Sequence, residues 1–414
     1  MRWQWHIGLG RELGLAFWAT VFLEATFGAY ISIWPLWIER LGAPITVVGL
    51  VLGASGIVRP FVLGPSSALA ERFGTRRLIV ATRLIALAGL LIAAMAQSWP
   101  ILLITVITNA LGELAFPFLH SYVADNAGEQ RVRAFALIIT VGPSLALMVS
   151  PLVAGVLIAM FGIPAAFVLA AITTAVAVGF MSRMRFTEAH ERSDADGEST
   201  YQAAFREPEV RRIFITHGLT LLTLALGTSL IPNYLNDTRG LEAATISTLG
   251  AGGALGSAVF GILITRNRQL QGAPFVGAAI AVFAVAVSFV LFATQTALLL
   301  IAIAFVLRGG FFSTWALFLA ALGESAPSRL RSRSFTVVEI LGGSALSFAP
   351  VISAQLYRIA PVTPIVVSAL GSVLLIPFIL YGHRKRRQSF HHRPAEPTPP
   401  PAPLVTAEHE GTGG

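Results

Sequence analysis

The chain has 414 residues, of which 55% are hydrophobic and only 12% charged, and its mean hydropathy is +0.73. Soluble proteins carry about 25% charged residues, so most of this chain is expected to avoid water. It contains no cysteine, which excludes disulfides, thiolate metal sites and a cysteine nucleophile.

The formal net charge is +8, and nearly all basic residues are arginines that lie between apolar segments. Arginines placed between apolar segments set membrane topology, whereas a nucleic-acid surface needs them along one face. The sequence therefore predicts a lipid bilayer as partner and no nucleic acid.

Twelve mostly apolar segments are long enough to cross a hydrocarbon core of about 30 Å. They are residues 13–38, 46–70, 77–97, 100–122, 134–160, 163–183, 212–235, 243–264, 273–294, 296–320, 335–357 and 362–382. The chain is thus predicted to be an all-α integral membrane protein with twelve transmembrane helices. We expect an N-terminal six-helix bundle (1–183), a cytoplasmic central loop (184–211), a C-terminal six-helix bundle (212–383) and a basic, then proline-rich, disordered cytoplasmic tail (384–414).

Arginine placement predicts the orientation. If both termini are cytoplasmic, the outer connections hold only Arg40, Arg239 and Arg358, and all the arginine-rich connections are inside. Because positively charged loops stay on the cytoplasmic side, we expect this topology in an inner or plasma membrane.

The connection between the second and third spans is short, basic and contains a glycine. Its informative positions are Ser67, Glu71, Arg72, Gly74, Arg76 and Arg77. Gly74 permits the left-handed backbone of a tight turn. The stretch resembles the Gly-x-x-x-Asp-Arg-x-Gly-Arg-Arg pattern of the major facilitator superfamily, with serine for the first glycine and glutamate for aspartate. The resemblance implies two pseudo-symmetric bundles, transport by alternating access, and a loop that latches the cytoplasmic side when the outer side is open.

The halves of the sequence also repeat. Asp125 and Pro151 recur as Glu324 and Pro350, both at an offset of 199. Two similar six-helix halves are typical of parallel-repeat transporters. The same offset pairs Arg308 with Asn109.

Four of the charged residues within predicted spans are candidate site residues, because a charge at membrane depth costs at least about 2.5–3.5 kcal/mol. They are Glu24, Arg59, Glu113 and Arg308. The resemblance implies that the first, fourth, seventh and tenth helices line a central cavity. We therefore expect Glu24 and Glu113 to contact substrate or protons, Arg308 to contact an anion or balance charge, and Asn109 to add a polar contact. Arg59 could instead form a structural ion pair with either acid.

Gly142 and Pro143 in the fifth span resemble the Gly-Pro motif of the family's exporters, although the following paired glycines are missing. Close helix packing and a kink explain such residues equally well.

These features favour proton-coupled export of a hydrophobic or amphipathic compound by a monomer. A sugar or metabolite facilitator or importer of the same fold, and a non-transporting receptor or scaffold, are the alternatives. The sequence has no phosphate-binding Gly-x-x-x-x-Gly-Lys-Ser/Thr motif, no metal-ligand spacing and no Ser/His/Asp set. We therefore expect no cofactor, no metal and no enzyme activity.

Overall fold

The fold is a computed structural model that describes residues 7–63, 65–128, 133–134, 136–186, 205–267, 270, 273–326 and 331–391. Within these ranges the regular structure is helical. The α-helices are α1 (Arg11–Tyr30), α2 (Trp34–Arg40), α3 (Ile45–Leu63), α4 (Ser66–Phe73), α5 (Thr75–Met95), α6 (Leu102–Gly112), α7 (Ala115–Asn126), α8 (Gly142–Phe161), α9 (Pro164–Met181), α10 (Pro208–Thr228), α11 (Ile231–Arg239), α12 (Ala243–Arg266), α13 (Pro274–Thr294), α14 (Leu298–Arg308), α15 (Gly310–Ser325), α16 (Arg331–Ile359) and α17 (Thr363–His391). A 3₁₀ turn (Trp99–Ile101) precedes α6, and a π-helical turn (Ala136–Val141) precedes α8.

Among the described residues, eleven helical stretches are long and apolar enough to cross a membrane. They match every predicted span except the second, where the apolar helix Ile45–Val58 is shorter. α3 itself continues to Leu63, and the side chains of Arg59, Pro60 and Leu63 lie outside the described part of the structure. The predicted all-α, twelve-helix membrane fold is confirmed.

The predicted domain boundaries stay predictions. Residues 187–204 of the central connection and residues 392–414 of the tail lie outside the described residues. The last helix, α17, continues to His391, past the predicted span end at 382.

Both halves interrupt their helices at corresponding places. Pro35 and Pro232 lie in the first turn of α2 and α11, the short helices that extend the first span of each half. Proline is accepted there because a first-turn N–H has no intrahelical partner. The fourth span of each half also breaks, between α6 and α7 and between α14 and α15.

The α-helices of the two fourth spans begin at Leu102 and Leu298, an offset of 196, because a 3₁₀ turn that begins at Trp99 precedes α6 but no such turn precedes α14. Counted from Trp99, the fourth spans begin 199 residues apart, which is the offset of the predicted repeat. The pairing of Arg308 with Asn109 stays a prediction.

Helix packing explains how the halves meet. Within the N-terminal half α1 packs on α8 and α9, and within the C-terminal half α10 packs on α16 and α17. The main contacts between the halves join α3 to α16 and α8 to α12. Each of these contacts pairs a second span with a fifth span of the other half. A pseudo-two-fold axis would exchange the two contacts, as a parallel repeat requires.

Glycines allow the helices of the two halves to approach closely. A Cβ atom at Gly49 of α3 would lie 2.6 Å from the Pro350 carbonyl oxygen of α16, and one at Gly155 of α8 would lie 2.9 Å from the Ala244 carbonyl oxygen of α12. Small residues are the usual means of such packing between membrane helices. Both contacts lie near the end of the molecule that carries α2 and α11, which we call the closed end. The first and last described residues, Ile7 and His391, lie at the opposite end.

Candidate functional site

Two acidic side chains of the N-terminal half lie within electrostatic range of one arginine on a third element. Glu24 is on α1, Arg83 on α5, and Glu113 lies at the break between α6 and α7. Both carboxylates act on the Arg83 guanidinium. Arg83 is only 7% exposed, and the two acids are partly buried. One buried cation thus faces two acids.

The Arg83 guanidinium retains unused hydrogen-bonding capacity. It lies 5.1 Å from the centre of the Phe116 ring, a cation–π contact. Its buried Nε and Nη2 atoms have no hydrogen-bond partner among the described residues. Buried donors are nearly always satisfied, so these two atoms leave hydrogen-bonding capacity for water or for a solute that carries acceptor atoms.

Two polar side chains extend this group. The Asn109 side-chain amide of α6 donates a 3.2 Å hydrogen bond to the Tyr30 hydroxyl of α1. Glu113 and Arg83 both act electrostatically on that hydroxyl. Glu24, Tyr30, Arg83, Asn109 and Glu113 are called the acid–arginine cluster below.

Arg308 lies in the other half and outside this cluster. It is the last residue of α14, and its guanidinium carbon lies 4.8 Å from the centre of the Phe305 ring. A Cβ atom at Gly253 of α12 would be 3.4 Å from the Arg308 Nη2. Neither Glu24 nor Glu113 is among the described groups that act on Arg308. Its predicted contact with an anion stays a prediction.

Gly253 places Arg308 near the boundary between the halves. One helical turn earlier on α12, Gly250 lies directly against Ser32 of the N-terminal half. Residues three apart on a helix share a face. The Arg308 guanidinium of α14 thus lies against the same face of α12 that meets the N-terminal half.

Arg59 lies in α3, but its side chain is outside the described part of the structure. The predicted pairing of Arg59 with Glu24 or Glu113 stays a prediction. The described cation that acts on Glu24 is Arg83.

The predicted gating loop lies at the end opposite the closed end, between α4 and α5. Gly74 has φ of 81°, so it adopts the left-handed backbone predicted for the turn. The four charged positions of the loop, Glu71, Arg72, Arg76 and Arg77, are exposed. Ser67 lies in α4, and its side chain is outside the described part.

Gly142 and Pro143 begin α8 and are buried. A Cβ atom at Gly142 would lie 2.8 Å from both Phe17 and Val21 of α1. Close approach of α8 to α1 is sufficient to require glycine at this position.

Sequence reasoning assigned no site role to Arg83 and Tyr30. A signal for Arg83 was present, since it is the only charge well inside the third predicted span, 77–97. The criterion that selected Glu24 selects Arg83 as well. Tyr30 carried no such signal, because the criterion selects charged residues and tyrosine is uncharged at neutral pH.

A cavity of about 540 Å³ lies elsewhere, at the ends of α12 and α13 farthest from the closed end. Its walls include Leu263 and Ile280, which are about half exposed on the outer surface. None of the predicted site residues lines it. It is a surface groove, and the acid–arginine cluster is the better candidate site because buried charges converge there.

Comparisons with known proteins agree with this architecture. An uncharacterized MFS-type transporter of Mycobacterium tuberculosis strain H37Rv is 35% identical over 121 residues, which cover 29% of each chain. The match thus spans less than a third of that relative's length.

Solved structures resemble the whole fold. A mutant of the nucleoside transporter NupG has a TM-score of 0.72 and 15% identity, covering 91% of this chain and 100% of NupG. A POT family transporter in complex with 5-aminolevulinic acid has a TM-score of 0.70 and 13% identity, covering 90% and 96%. At such identities the likeness concerns the fold alone. The family model described as Major Facilitator Superfamily matches residues 16–350, and the chain belongs to this family.

Proposed function

We propose that the chain is a proton-coupled secondary transporter that exports a small hydrophobic or amphipathic compound by alternating access. The observation that carries this proposal is the buried Arg83, on which carboxylates from two different spans act. Acids kept within a membrane protein usually mark substrate or proton sites.

Charge counting suggests how protons and solute would be coupled. If Glu24 and Glu113 are both ionised, one guanidinium leaves an excess negative charge in the cluster. One proton would neutralise that excess, and so would the positive group of an amphipathic cation. Proton and solute would then compete for the same charge, and their movements are coupled when the halves rearrange only with one of the two bound.

The orientation belongs to the same proposal. With cytoplasmic termini, as the arginine distribution favours, the closed end faces outward. The cluster would then be reached from the cytoplasm, which is the side from which an exporter takes its solute. Rocking of the halves would close the cytoplasmic end, with the Glu71–Arg77 loop as its latch.

Flux in proteoliposomes tests the proposal. A thermal-shift panel of amphipathic cations, nucleosides and short peptides, measured at two pH values, would first identify a solute. The last two classes follow the substrates named for the similar solved structures. An imposed pH gradient should then drive uptake of that solute, and Glu24→Gln or Glu113→Gln should abolish the gradient dependence.

Arg308→Gln provides a comparison from the other half, since it should alter affinity but preserve coupling to the gradient. Gradient-driven flux that is unchanged in both acid variants would refute the role of the cluster. A facilitator would show flux without gradient coupling, and a receptor would show no flux.

A further inference from the structure

The closed end is held by a hydrogen-bonded contact between the two halves. Asn233 of α11 donates its side-chain amide to the Glu39 carboxylate of α2, and to the Pro35 carbonyl oxygen at 3.4 Å. Asn233 is completely buried, whereas Glu39 is partly buried. The contact thus lies inside the seam where α2 meets α11.

The Asn233 amide is only half satisfied. Its Oδ1 atom is buried and has no hydrogen-bond partner among the described residues. An ionised carboxylate can only accept hydrogen bonds, whereas a protonated one also donates. A protonated Glu39 could therefore accept from the Asn233 N–H and donate to Oδ1, which would satisfy both ends of the amide.

A second carboxylate faces Glu39 from the other half. Asp237 of α11 accepts a 2.7 Å hydrogen bond from the Tyr357 hydroxyl of α16, and it acts electrostatically on Glu39. Arg239, the cation of α11, donates instead to the Ala293 carbonyl oxygen at 2.6 Å. On α2 itself, the side chain of Arg40 is exposed at the protein surface. An ionised Glu39 would thus be opposed by Asp237 across the seam.

We propose that Glu39 and Asn233 form a proton-operated latch, in which neutral Glu39 holds the closed end shut and ionised Glu39 promotes its opening. The latch rests on the proposed alternating access, but it does not depend on proton coupling through the acid–arginine cluster.

The direction of the pH effect follows from the surroundings of Glu39. Burial raises the pKa of Glu39 above its usual value of 4.5, and Asp237 raises it further, although the Asn233 hydrogen bond lowers it. When the end opens, water reaches the carboxyl and its pKa returns toward the usual value. The closed state therefore binds the proton more tightly. Its population is highest at low pH and falls as the pH rises through the elevated pKa.

The absence of native cysteine makes the test direct. Pro44→Cys and Thr238→Cys, both at exposed positions on opposite sides of the seam, carry spin labels without changing any charge. Double electron–electron resonance would report the distance between the two spin labels in lipid nanodiscs from about pH 5 to about pH 8. We expect the short-distance population to decrease with rising pH.

Glu39→Gln keeps a neutral side chain that can both accept and donate. It should show the short distance at every pH, whereas Asn233→Leu should shift the population toward the long distance at every pH. Glu242→Gln, an exposed acid at the same end, serves as the control and should keep the original pH dependence.

A pH dependence that survives in Glu39→Gln would overturn the latch, and so would one that disappears in Glu242→Gln. A single distance in all variants at all pH values would also contradict it. Since the readout is a distance and not a flux, failure of the latch is distinguishable from failure of coupling through Glu24 and Glu113.

Discussion

Burying the Arg83 cation within a membrane protein is too costly in free energy unless acidic groups lie near it. Glu24 and Glu113 reach it from α1 and from the break in the fourth span. Removing one member of a buried ionic group leaves the others uncompensated, which is more destabilising than never having had the group. The three charges therefore depend on one another.

The first prediction concerns Arg83→Gln. Loss of the cation should lower the free energy of unfolding by about 3 kcal/mol and abolish coupling of flux to the pH gradient. Arg358→Gln, at an exposed arginine, should change stability by less than about 0.5 kcal/mol. Thermal unfolding of both variants in the same detergent measures the difference. Equal stability of the two would contradict an ionic group at Arg83.

The second prediction concerns the turn between α4 and α5. An alanine at Gly74 must adopt φ of 81°, which L-residues avoid, so Gly74→Ala should destabilise the protein by about 1–2 kcal/mol. Gly261→Ala is the matched control, because Gly261 is within a helix and has open space around its Cβ position. It should be neutral or stabilising by up to about 1 kcal/mol. Identical melting temperatures for the two variants would show that the turn tolerates another backbone conformation.

At the scale of elements, the contact between the halves is decided by backbone proximity. A Cβ atom at Gly53 of α3 would lie 2.9 Å from the Val351 Cγ2 atom and 2.5 Å from the Ser347 carbonyl oxygen of α16. The carbonyl belongs to a helix and cannot rotate away, as a flexible side chain could.

The third prediction follows from this contact. Gly53→Val should separate α3 from α16 at a cost of about 1–3 kcal/mol to the closed arrangement. Spin labels at Pro44→Cys and Thr238→Cys should then report a larger fraction of long distances than in the parent. Gly261→Ala again serves as the control. An unchanged distance distribution would mean that the glycine contact does not hold the closed end.

At the scale of the whole molecule, alternating access requires the halves to separate at the closed end. The fourth prediction is that a covalent link there arrests transport. Pro44→Cys combined with Thr238→Cys joins the two halves across this seam when a thiol crosslinker is added, and flux should fall to the background of empty liposomes. A reductant-cleavable linker should restore flux on reduction. Each single-cysteine variant should keep its flux under the same treatment, and continued flux in the linked protein would exclude opening at this end.

Much of the fold was predictable from local chemistry. A bilayer requires spanning segments to be apolar and to satisfy their own backbone hydrogen bonds, so the twelve segments and the division into halves could be predicted from the sequence. The positive φ at Gly74 could be predicted as well, because glycine is the residue that most readily adopts it. Glu24 and Glu113 were selected for the same reason, since a charge in such a segment needs a compensating partner.

Only the tertiary structure decided which groups meet. Arg83 and Glu24 are far apart in the chain, and nothing in either span states that α1 and α5 place them together. The offset of 196 between α6 and α14 depends on a connecting turn that hydropathy does not register. Glu39 follows its predicted span and Asn233 is uncharged, so a search for buried charges selects neither of them. Their contact exists because two helices from different halves, each with a proline in its first turn, meet at one end. Hydropathy along the chain determines which segments avoid water, whereas packing between the segments determines which groups each side chain contacts.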